Sequence, residues 1–486
     1  MNISDTICAI ATAQGGAIGI IRISGYHSIA ITDRIFFPVG NNLPLAERKP
    51  YTIAFGQIRK PLLSSKSNDQ CCKNTNGKNY ELIDEVLVSI FHAPHSYTGE
   101  NSVEISCHGS SYIMQQIIAL LIDNGCRLAK PGEYTQRAFV NGKMDLSQAE
   151  AVADLIASTS ESTHRLAMNQ MRGTFSKELA ALRDKLLHLT SLMELELDFS
   201  DHEELEFADR KELHAISLKI EKLITGLMQS FRLGNAIKNG IPVAIIGETN
   251  AGKSTLLNTL VGEERAIVSD IHGTTRDVIE DTVNISGFTF RFIDTAGIRE
   301  TTDTIESIGI ERTFKKICQA EIVLLLIDST DSQNRTTELF SKISKLCNDK
   351  KLIIVYNKTD LVPENAQNYI NVISHFTGIT ASTNTISISA KTGKGITELK
   401  KLLVSLTGTS ISPNDVIVTN IRHFEALSRA NDSIHRVNEG LCLNIPGDLI
   451  SQDLRECLSH LSEITGGEIT TDEVLGNIFK NFCVGK

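Results

Sequence analysis

The chain has 486 residues, 41% of them hydrophobic and 22% charged, with a formal net charge of −10. At roughly 150 residues per domain there is room for about three domains and an ample buried core, and the balance is that of a soluble globular protein. No apolar stretch approaches the ~20 residues that span a bilayer, and the first residues lack a basic segment followed by an apolar core and a cleavage site, so a cytoplasmic protein without membrane attachment is expected.

Residues 1–142 mix short apolar runs, such as 86–91, with turns, which is an α+β pattern. A polar stretch at residues 64–79 interrupts it and is expected as a long surface loop. Residues 143–238 are helical in pattern. Ser147 and Glu150 have capping-box spacing, and Leu179, Leu182, Leu186, Leu189 and Met193 recur at three- and four-residue steps. A second amphipathic segment carries Leu213, Ile216, Ile220, Leu223, Leu227 and Phe231, and the acidic run 194–206 between the two reads as a solvated connection. In residues 239–408, buried-strand runs at 242–247, 288–293, 322–327 and 352–356 follow one another at α/β spacing. Residues 409–486 return to helical periodicity at 423–430 and 453–461. The α/β unit is therefore read as an insertion in an all-α domain, so that movement in one can be transmitted to the other. The ten cysteines include no C-x-x-C pair, which favours reduced thiols over a zinc site or disulfides.

Four segments of the inserted unit describe a pocket for GTP. Residues 247–254 read G-E-T-N-A-G-K-S, a complete phosphate loop between a strand and a helix. Its glycines, Gly247 and Gly252, let backbone N–H groups turn toward phosphate oxygens; Lys253 supplies a point charge and Ser254 offers a hydroxyl to Mg²⁺. In D-T-A-G at 294–297, Asp294 would hold Mg²⁺ through water and the Gly297 N–H would sense the γ-phosphate, with Thr295 and Ala296 between them. Thr275 of G-T-T-R-D at 273–277 is expected to complete the Mg²⁺ shell, as in the order–disorder switch of GTPases. In N-K-T-D at 357–360, Asp360 accepts from the N1–H and exocyclic amino group of guanine and rejects adenine. Asn357 fixes the loop and reaches the other edge of the base, Lys358 stands beside it, and the backbone of Ser389, Ala390 and Lys391 donates to the guanine oxygen. The residue after D-T-A-G is Ile298, which cannot orient water as the glutamine of Ras-type enzymes does. Glu300, Asp303, Glu306 and Glu311 are the acidic candidates for that work.

Several longer segments carry a family resemblance. They are G-x-x-N-A-G-K-S at 247–254, D-I-H-G-T-T-R-D at 270–277, D-T-A-G-I-R-E at 294–300, I-E-S-I-G-I-E-R at 305–312 and the terminal F-C-V-G-K at 482–486. Together with residues 6–25 and 95–104 they resemble the MnmE/TrmE family of tRNA-modification GTPases over nearly the whole chain. The resemblance implies a Ras-like P-loop GTPase domain inserted in a helical domain and preceded by an α+β domain of tetrahydrofolate-binding type that also dimerises.

The resemblance also implies K⁺ beside the phosphates, held by the Asn250 side chain and by Ser269 and Ile271 carbonyls, with Thr274 in the same set. The phosphate surroundings would be completed by Ala251, Thr255, Asp270, His272 and Gly273. Hydrolysis is then linked to the meeting of two G domains. The family's water-orienting acid maps onto Glu306, which with Lys253 and Thr275 makes the catalytic set. Arg22, Glu100, Lys143 and Lys486 match positions that bind a 5,10-methylene- or 5-formyl-tetrahydrofolate donor. Cys483 is either a packed thiol or a group that takes part in the chemistry. The implied activity belongs to a homodimer acting with the flavoprotein MnmG/GidA, as a heterotetramer to which the partner brings FAD and NADH. Its product is an aminomethyl- or carboxymethylaminomethyl-type group on C5 of the wobble uridine of tRNA. A net charge of −10 requires a local basic patch, or the partner, to meet RNA phosphates. An Era-like RNA-binding or ribosome-assembly GTPase, or a signalling switch, is the competing reading, and folate binding discriminates them.

Overall fold

The computed structural model describes residues 5–13, 15–40, 43–61, 72–73, 79–198, 210–248, 250–263, 281–293, 317–330, 350–361, 384–407, 416–467 and 485. The chain divides into two compact units, residues 1–153, 170–179 and 458–486 in one, and residues 154–169 and 180–457 in the other.

The first unit is built on one eight-stranded sheet. Its strands are β1 (Thr6–Ile10), β2 (Ile18–Ser24), β3 (Phe36–Pro38), β4 (Thr52–Pro61), β5 (Cys72–Lys73), β6 (Asn79–Phe91), β7 (Ser102–His108) and β8 (Cys126–Leu128), in the order β3-β4-β6-β7-β2-β1-β8, with β5 beside β6. Only the β1–β8 pair is parallel. Alternate β-branched residues such as Ile21, Ile23, Val88, Ile90, Val103 and Ile105 point into one core, as the two-residue period of a strand dictates. There they meet Ile31 and Ile35 of α1 (Ser28–Ile35) and Met114, Ile117 and Leu121 of α2 (Ser111–Asp123). Within the stretch 64–79 expected as a loop, Cys72 and Lys73 instead pair antiparallel with Tyr80 and Asn79, and residues 64–71 and 74–78 lie outside the described residues.

Two helices follow, α3 (Glu133–Val140) and α4 (Leu146–Ala157). The expected capping box is displaced by two residues. Ser147 lies inside α4, and the reciprocal bonds are made by Asp145 and Gln148: the Gln148 N–H donates to Asp145 Oδ1 at 2.9 Å and the Asp145 N–H to Gln148 Oε1 at 3.0 Å. A carboxylate and an amide there fill the roles expected of Ser and Glu.

The remaining helices before the second sheet are α5 (Glu161–Met171), α6 (Thr174–Asp198) and α7 (Arg210–Asn239). The five α6 residues picked out by periodicity are all buried. On α7 the buried stripe is Leu213, Ser217, Ile220 and Ile224, whereas Leu223 faces solvent, contrary to expectation. A step from 220 to 223 and one from 220 to 224 diverge by about 100° around the helix, and packing selects the second.

The second sheet contains β9 (Ile241–Gly247), β10 (Asp281–Ile285), β11 (Phe288–Phe292), β12 (Ile322–Asp328), β13 (Lys351–Asn357) and β14 (Asn384–Ser387) in the order β10-β11-β9-β12-β13-β14. All pairs are parallel except β10–β11. The central strands β9, β12 and β13 are near-continuous apolar runs because both their faces are covered, whereas β10, β11 and β14 carry polar residues. Val243, Ile245, Leu324, Leu326 and Val355 share one core with Leu256 and Leu260 of α8 (Lys253–Glu263) and Leu399 and Leu403 of α9 (Ile396–Leu406), while Ala244, Ile246, Val323, Leu325 and Ile354 belong to another.

Two more helices follow, α10 (Ile421–Cys442) and α11 (Gly447–Thr465). The α/β segment leaves and rejoins the helices at one place. The Val418 N–H donates to Ser230 Oγ at 3.0 Å, a Cβ on Gly234 would stand 2.1 Å from the Val418 carbonyl oxygen, and Phe231 stacks on Phe424 at 4.6 Å. That backbone approach needs glycine at 234. The α/β fold is thus inserted in a helical one, as the sequence pattern implied.

Candidate functional site

The phosphate loop turns at the end of β9 and opens α8, whose N-terminus faces the loop's concavity. Two glycines are there for close approach as much as for turning. A Cβ on Gly247 would come within 2.5 Å of the Leu326 carbonyl oxygen, and on Gly252, at φ +94°, within 2.2 Å of Asn357 Nδ2. Asn250 adopts φ +67°. Among residues with a side chain, Asn tolerates that left-handed conformation best, so backbone shape alone favours it. Lys253 Nζ donates to the carbonyls of Gly247 and Glu248 at 2.8 and 2.7 Å, which keeps the ammonium over the loop. Ala251 is buried, Ser254 is partly buried and Thr255 exposed on the first turn of α8.

Asn357 joins three loops. Its Nδ2 donates to the Ala251 carbonyl at 2.8 Å and its Oδ1 accepts from the Ala390 N–H at 2.9 Å, while only 2% of the residue is exposed. The expectation that it fixes the loop is met, through both ends of the amide. Asp360 Oδ1 accepts from Ser389 Oγ at 2.7 Å. That hydrogen bond holds the Asp360 carboxyl below its ordinary range; slight desolvation opposes it and the charges of Lys391 and Lys358 assist. The carboxylate is solvent-facing and stays an acceptor at neutral pH.

Two supporting residues, Asp328 and Thr259, escaped sequence reasoning. Lys358, at φ +64°, is held by an ion pair from Nζ to Asp328 Oδ2 at 2.5 Å. Asp328 ends β12 directly opposite Asn357 at the end of β13; the signal was an acidic residue closing one apolar run beside an amide closing the next. Burial alone would raise the Asp328 carboxyl, but hydrogen bonds from Lys358 and Thr330 bring it below the usual range. Thr259 Oγ1 donates to the Ala390 carbonyl at 2.9 Å, tying α8 to the base loop.

The expected positions at 269–275, 294–297 and 306 lie outside the described residues, as do Cys483 and Lys486. Of the K⁺ and Mg²⁺ sets, Asn250 and Ser254 can therefore be placed. Both offer oxygen, which suits hard cations, and Asn250 is exposed on the loop.

In the first unit, Arg22, Glu100 and Lys143 each have partners. Arg22 Nε donates to Glu104 Oε1 at 2.9 Å and its Nη1 to the Gly485 carbonyl at 3.1 Å, so this guanidinium binds Gly485 as well as a carboxylate. Gly485, at φ +94°, lies so close to β1 that a Cβ would stand 2.6 Å from the Ile10 carbonyl oxygen. Glu100 accepts from Ser24 Oγ at 2.7 Å and from Arg137 Nη1 at 3.1 Å. Lys143 Nζ, exposed, donates to the Pro94 carbonyl at 3.0 Å. Behind Glu100 lies a charge network, buried at Arg137 and Glu133 and part-exposed at Asp5 and Arg127, that the sequence did not reveal. Arg137 also binds Asp5 at 2.7 Å and Glu133 at 3.1 Å, and Arg127 binds the same two carboxylates. Of the ten cysteines, Cys8, Cys107, Cys126, Cys318, Cys442 and Cys457 are free thiols. Among the described residues no helix is long and apolar enough to cross a membrane, and no group of three His, Cys, Asp or Glu is placed to hold a metal.

A phosphate loop after β9, an N-K-T-D segment whose solvent-facing Asp360 follows β13, and a parallel sheet between them are the form of a P-loop GTPase, an enzyme that hydrolyses GTP. Family models agree with this class and narrow it: the one described as MnmE helical domain matches residues 146–483, and the one described as GTP-binding protein TrmE N-terminus matches residues 6–143. The tRNA modification GTPase MnmE of Phocaeicola vulgatus is 61% identical, with 99% of each chain covered. That of Bacteroides fragilis strain YCH46 is 62% identical over 99% of each, and that of Flavobacterium johnsoniae 50% identical over 99% of each. Among solved structures, a variant of Aquifex aeolicus Era bound to GDP.AlF4- is 30% identical over 40% of this chain and 66% of its own, with a TM-score of 0.28. The chain belongs to the MnmE family of tRNA modification GTPases.

Proposed function

We propose that this GTPase is K⁺-stimulated and homodimeric, and that with the flavoprotein MnmG/GidA it modifies C5 of the wobble uridine of tRNA using a tetrahydrofolate one-carbon donor. The observation that carries the reading is the full-length likeness to tRNA modification GTPases, 61% identity over 99% of both chains. The functional segments divide as residues 1–142, 143–238, 239–408 and 409–486. Glu306 is assigned the water-orienting role, Thr275 and Asp294 the Mg²⁺ contacts beside Ser254, and Ser269, Ile271 and Thr274 the K⁺ contacts beside Asn250. Arg22, Glu100, Lys143 and Lys486 are assigned to folate, with Cys483 near it. In support, Arg22 bonds to the carbonyl next to Lys486, and Glu100 is an oriented carboxylate that can accept pterin N–H groups. Ile53, Phe55 and Leu87 are 65%, 47% and 45% exposed, with Phe55 opposite Leu87 on neighbouring strands; this apolar patch favours dimerisation. FAD and NADH enter with the partner, and the site of action is the cytoplasm.

Mass analysis of wobble nucleosides tests the reading. Cells lacking the protein should lose the aminomethyl-type and carboxymethylaminomethyl-type uridines, and restoring the gene should return them. Unaltered nucleosides would leave the Era-like alternative.

K⁺ held beside the phosphates would supply positive charge where negative charge develops between the β- and γ-phosphates during hydrolysis. Replacing K⁺ by Na⁺ is expected to slow GTP turnover by about 100-fold, the scale of losing one electrostatic stabiliser. Asn250→Gly separates the two reasons for asparagine, since glycine keeps the φ of +67° and removes the oxygen. That variant should bind GTP normally and show equal turnover in both salts; a persisting preference for K⁺ would assign Asn250 to backbone shape alone.

A further inference from the structure

A cavity of about 670 Å³ opens in the second unit at the end of the parallel sheet away from the GTP pocket. It lies beside Pro242 at the start of β9, whose seven residues end at the phosphate loop. At ~3.3 Å per residue the two sites are roughly 20 Å apart. Its wall is formed by Phe231, Arg232, Asn235 and Asn239 of α7, by Arg291 of β11 and by Lys350 before β13.

Cations outnumber carboxylates on this wall. Lys350 Nζ donates to the neutral Cys318 carbonyl at 3.1 Å, and Arg232 is exposed and has no ion pair among the described residues. The lining carboxylate, Glu321, is already bound by Lys351 at 2.9 Å. In a chain of net charge −10 this is a local positive focus. Asn235 and Asn239 are exposed amides joined by one hydrogen bond, Asn239 Nδ2 to Asn235 Oδ1 at 2.7 Å, which leaves the Asn235 NH₂ to donate and the Asn239 oxygen to accept. The Phe231 ring, backed by Phe424 at 4.6 Å and an angle of 20°, is a rigid aromatic surface. Cations for phosphate, amides for base edges and an aromatic ring beside them are the chemistry that holds nucleotides, and pockets for such ligands span about 300–1,000 Å³.

We propose that this cavity is a second nucleotide site, which takes one phosphorylated nucleoside unit, either free or within an RNA strand. Its occupant touches Asn239 and Gly240, where α7 passes into β9, and so sits where the helices join the GTPase sheet. The site itself stands on the cavity, and only RNA as a source rests on the tRNA-modification reading.

The test uses the full chain with its GTP pocket saturated by GDP and Mg²⁺, and a fluorescein-labelled twelve-residue oligouridylate read by anisotropy over a KCl series. Arg232→Glu combined with Lys350→Glu should weaken binding at least about 10-fold and flatten the slope of log K against log salt by about 1.4, at ~0.7 for each single-strand phosphate no longer neutralised. Unchanged basal GTP hydrolysis reports that this variant is folded. Arg232→Gln, a milder change at an exposed position, should weaken binding about threefold. Displacement of the probe by millimolar UMP assigns the site to free nucleotides, and its failure to displace assigns it to strands. Equal affinity and slope in the wild type and both variants, or no binding of either probe, overturns the proposal. Intact wobble nucleosides in cells lacking the protein would sink the tRNA reading and leave the anisotropy result standing.

Discussion

Asp360→Asn is expected to move base preference from guanosine to xanthosine nucleotides, with GTP affinity falling about 100-fold or more, the scale on which a site built to pair a polar edge rejects the wrong one. Ser389 occupies Oδ1 from one side and leaves the rest of the carboxylate to the base. Guanine presents two donors there, N1–H and the exocyclic amino group, and hydrogen bonds to a charged acceptor are about twice as strong as neutral ones. An amide in place of the carboxylate loses the charge and sets its own NH₂ against a donor. Xanthine carries a carbonyl where guanine has the amino group, so the same NH₂ meets an acceptor. The sign with pH follows from the depressed carboxyl. The acceptor is fully ionised above the ordinary carboxylate range, so base selection through Asp360 is constant at neutral pH and weakens only as pH falls through its lowered pKa. Titration of both nucleotides against wild type and variant checks this, and unchanged guanosine selectivity would remove Asp360 from base reading.

Arg137→Ala is expected to destabilise the first unit by about 3–5 kcal/mol, the usual loss when one partner of a buried ionic group is removed. Arg137 is 4% exposed and serves Glu133, Glu100 and Asp5 together. Burial alone would raise the Glu133 carboxyl, yet hydrogen bonds from Arg127, the Lys130 N–H and Arg137 bring it below its usual range. The same competition lowers Asp5, where desolvation is opposed by Arg127 and Arg137. Folded-state pKa values below the unfolded ones add stability that is present above the ordinary carboxylate range and lost as pH falls through the lowered values. Thermal unfolding at pH 7 should therefore show a large drop in the variant, and its stability should fall less steeply on the acid side than the wild type's, because carboxyls that Arg137 no longer holds below their ordinary range lose less on protonation. Arg137→Met keeps the volume and should lose nearly as much. If Arg137→Met is as stable as the wild type, packing rather than charge holds this unit. Arg137 also orients Glu100, so under the proposed assignment of Glu100 to folate both variants should lose folate affinity.

The GTP site was legible because its parts are local. A phosphate loop needs particular residues within eight positions, and Gly252, Lys253 and Ser254 could be assigned from spacing alone. Parallel strands buried on both faces also announce themselves as unbroken apolar runs. The α4 cap was harder, since Asp145–Gln148 and Ser147–Glu150 offer the same spacing in sequence and only backbone direction separates them. Leu223 failed for a related reason: two neighbouring helical steps are both apolar, and the facing helix decides which is buried.

What the sequence determined by itself is the set of local nucleotide motifs: a phosphate loop, an N-K-T-D segment that ends in a carboxylate, and isoleucine in place of a glutamine after D-T-A-G. Those properties follow from donors, acceptors and flexibility in short segments. Tertiary structure decided the rest, because it depends on residues far apart in the chain. Asn357 joins Ala251 to Ala390, Arg137 gathers Asp5, Glu100 and Glu133, and Arg22 reaches Gly485. Buried polar groups must find partners wherever the fold brings them, and no spacing rule encodes which distant residue arrives.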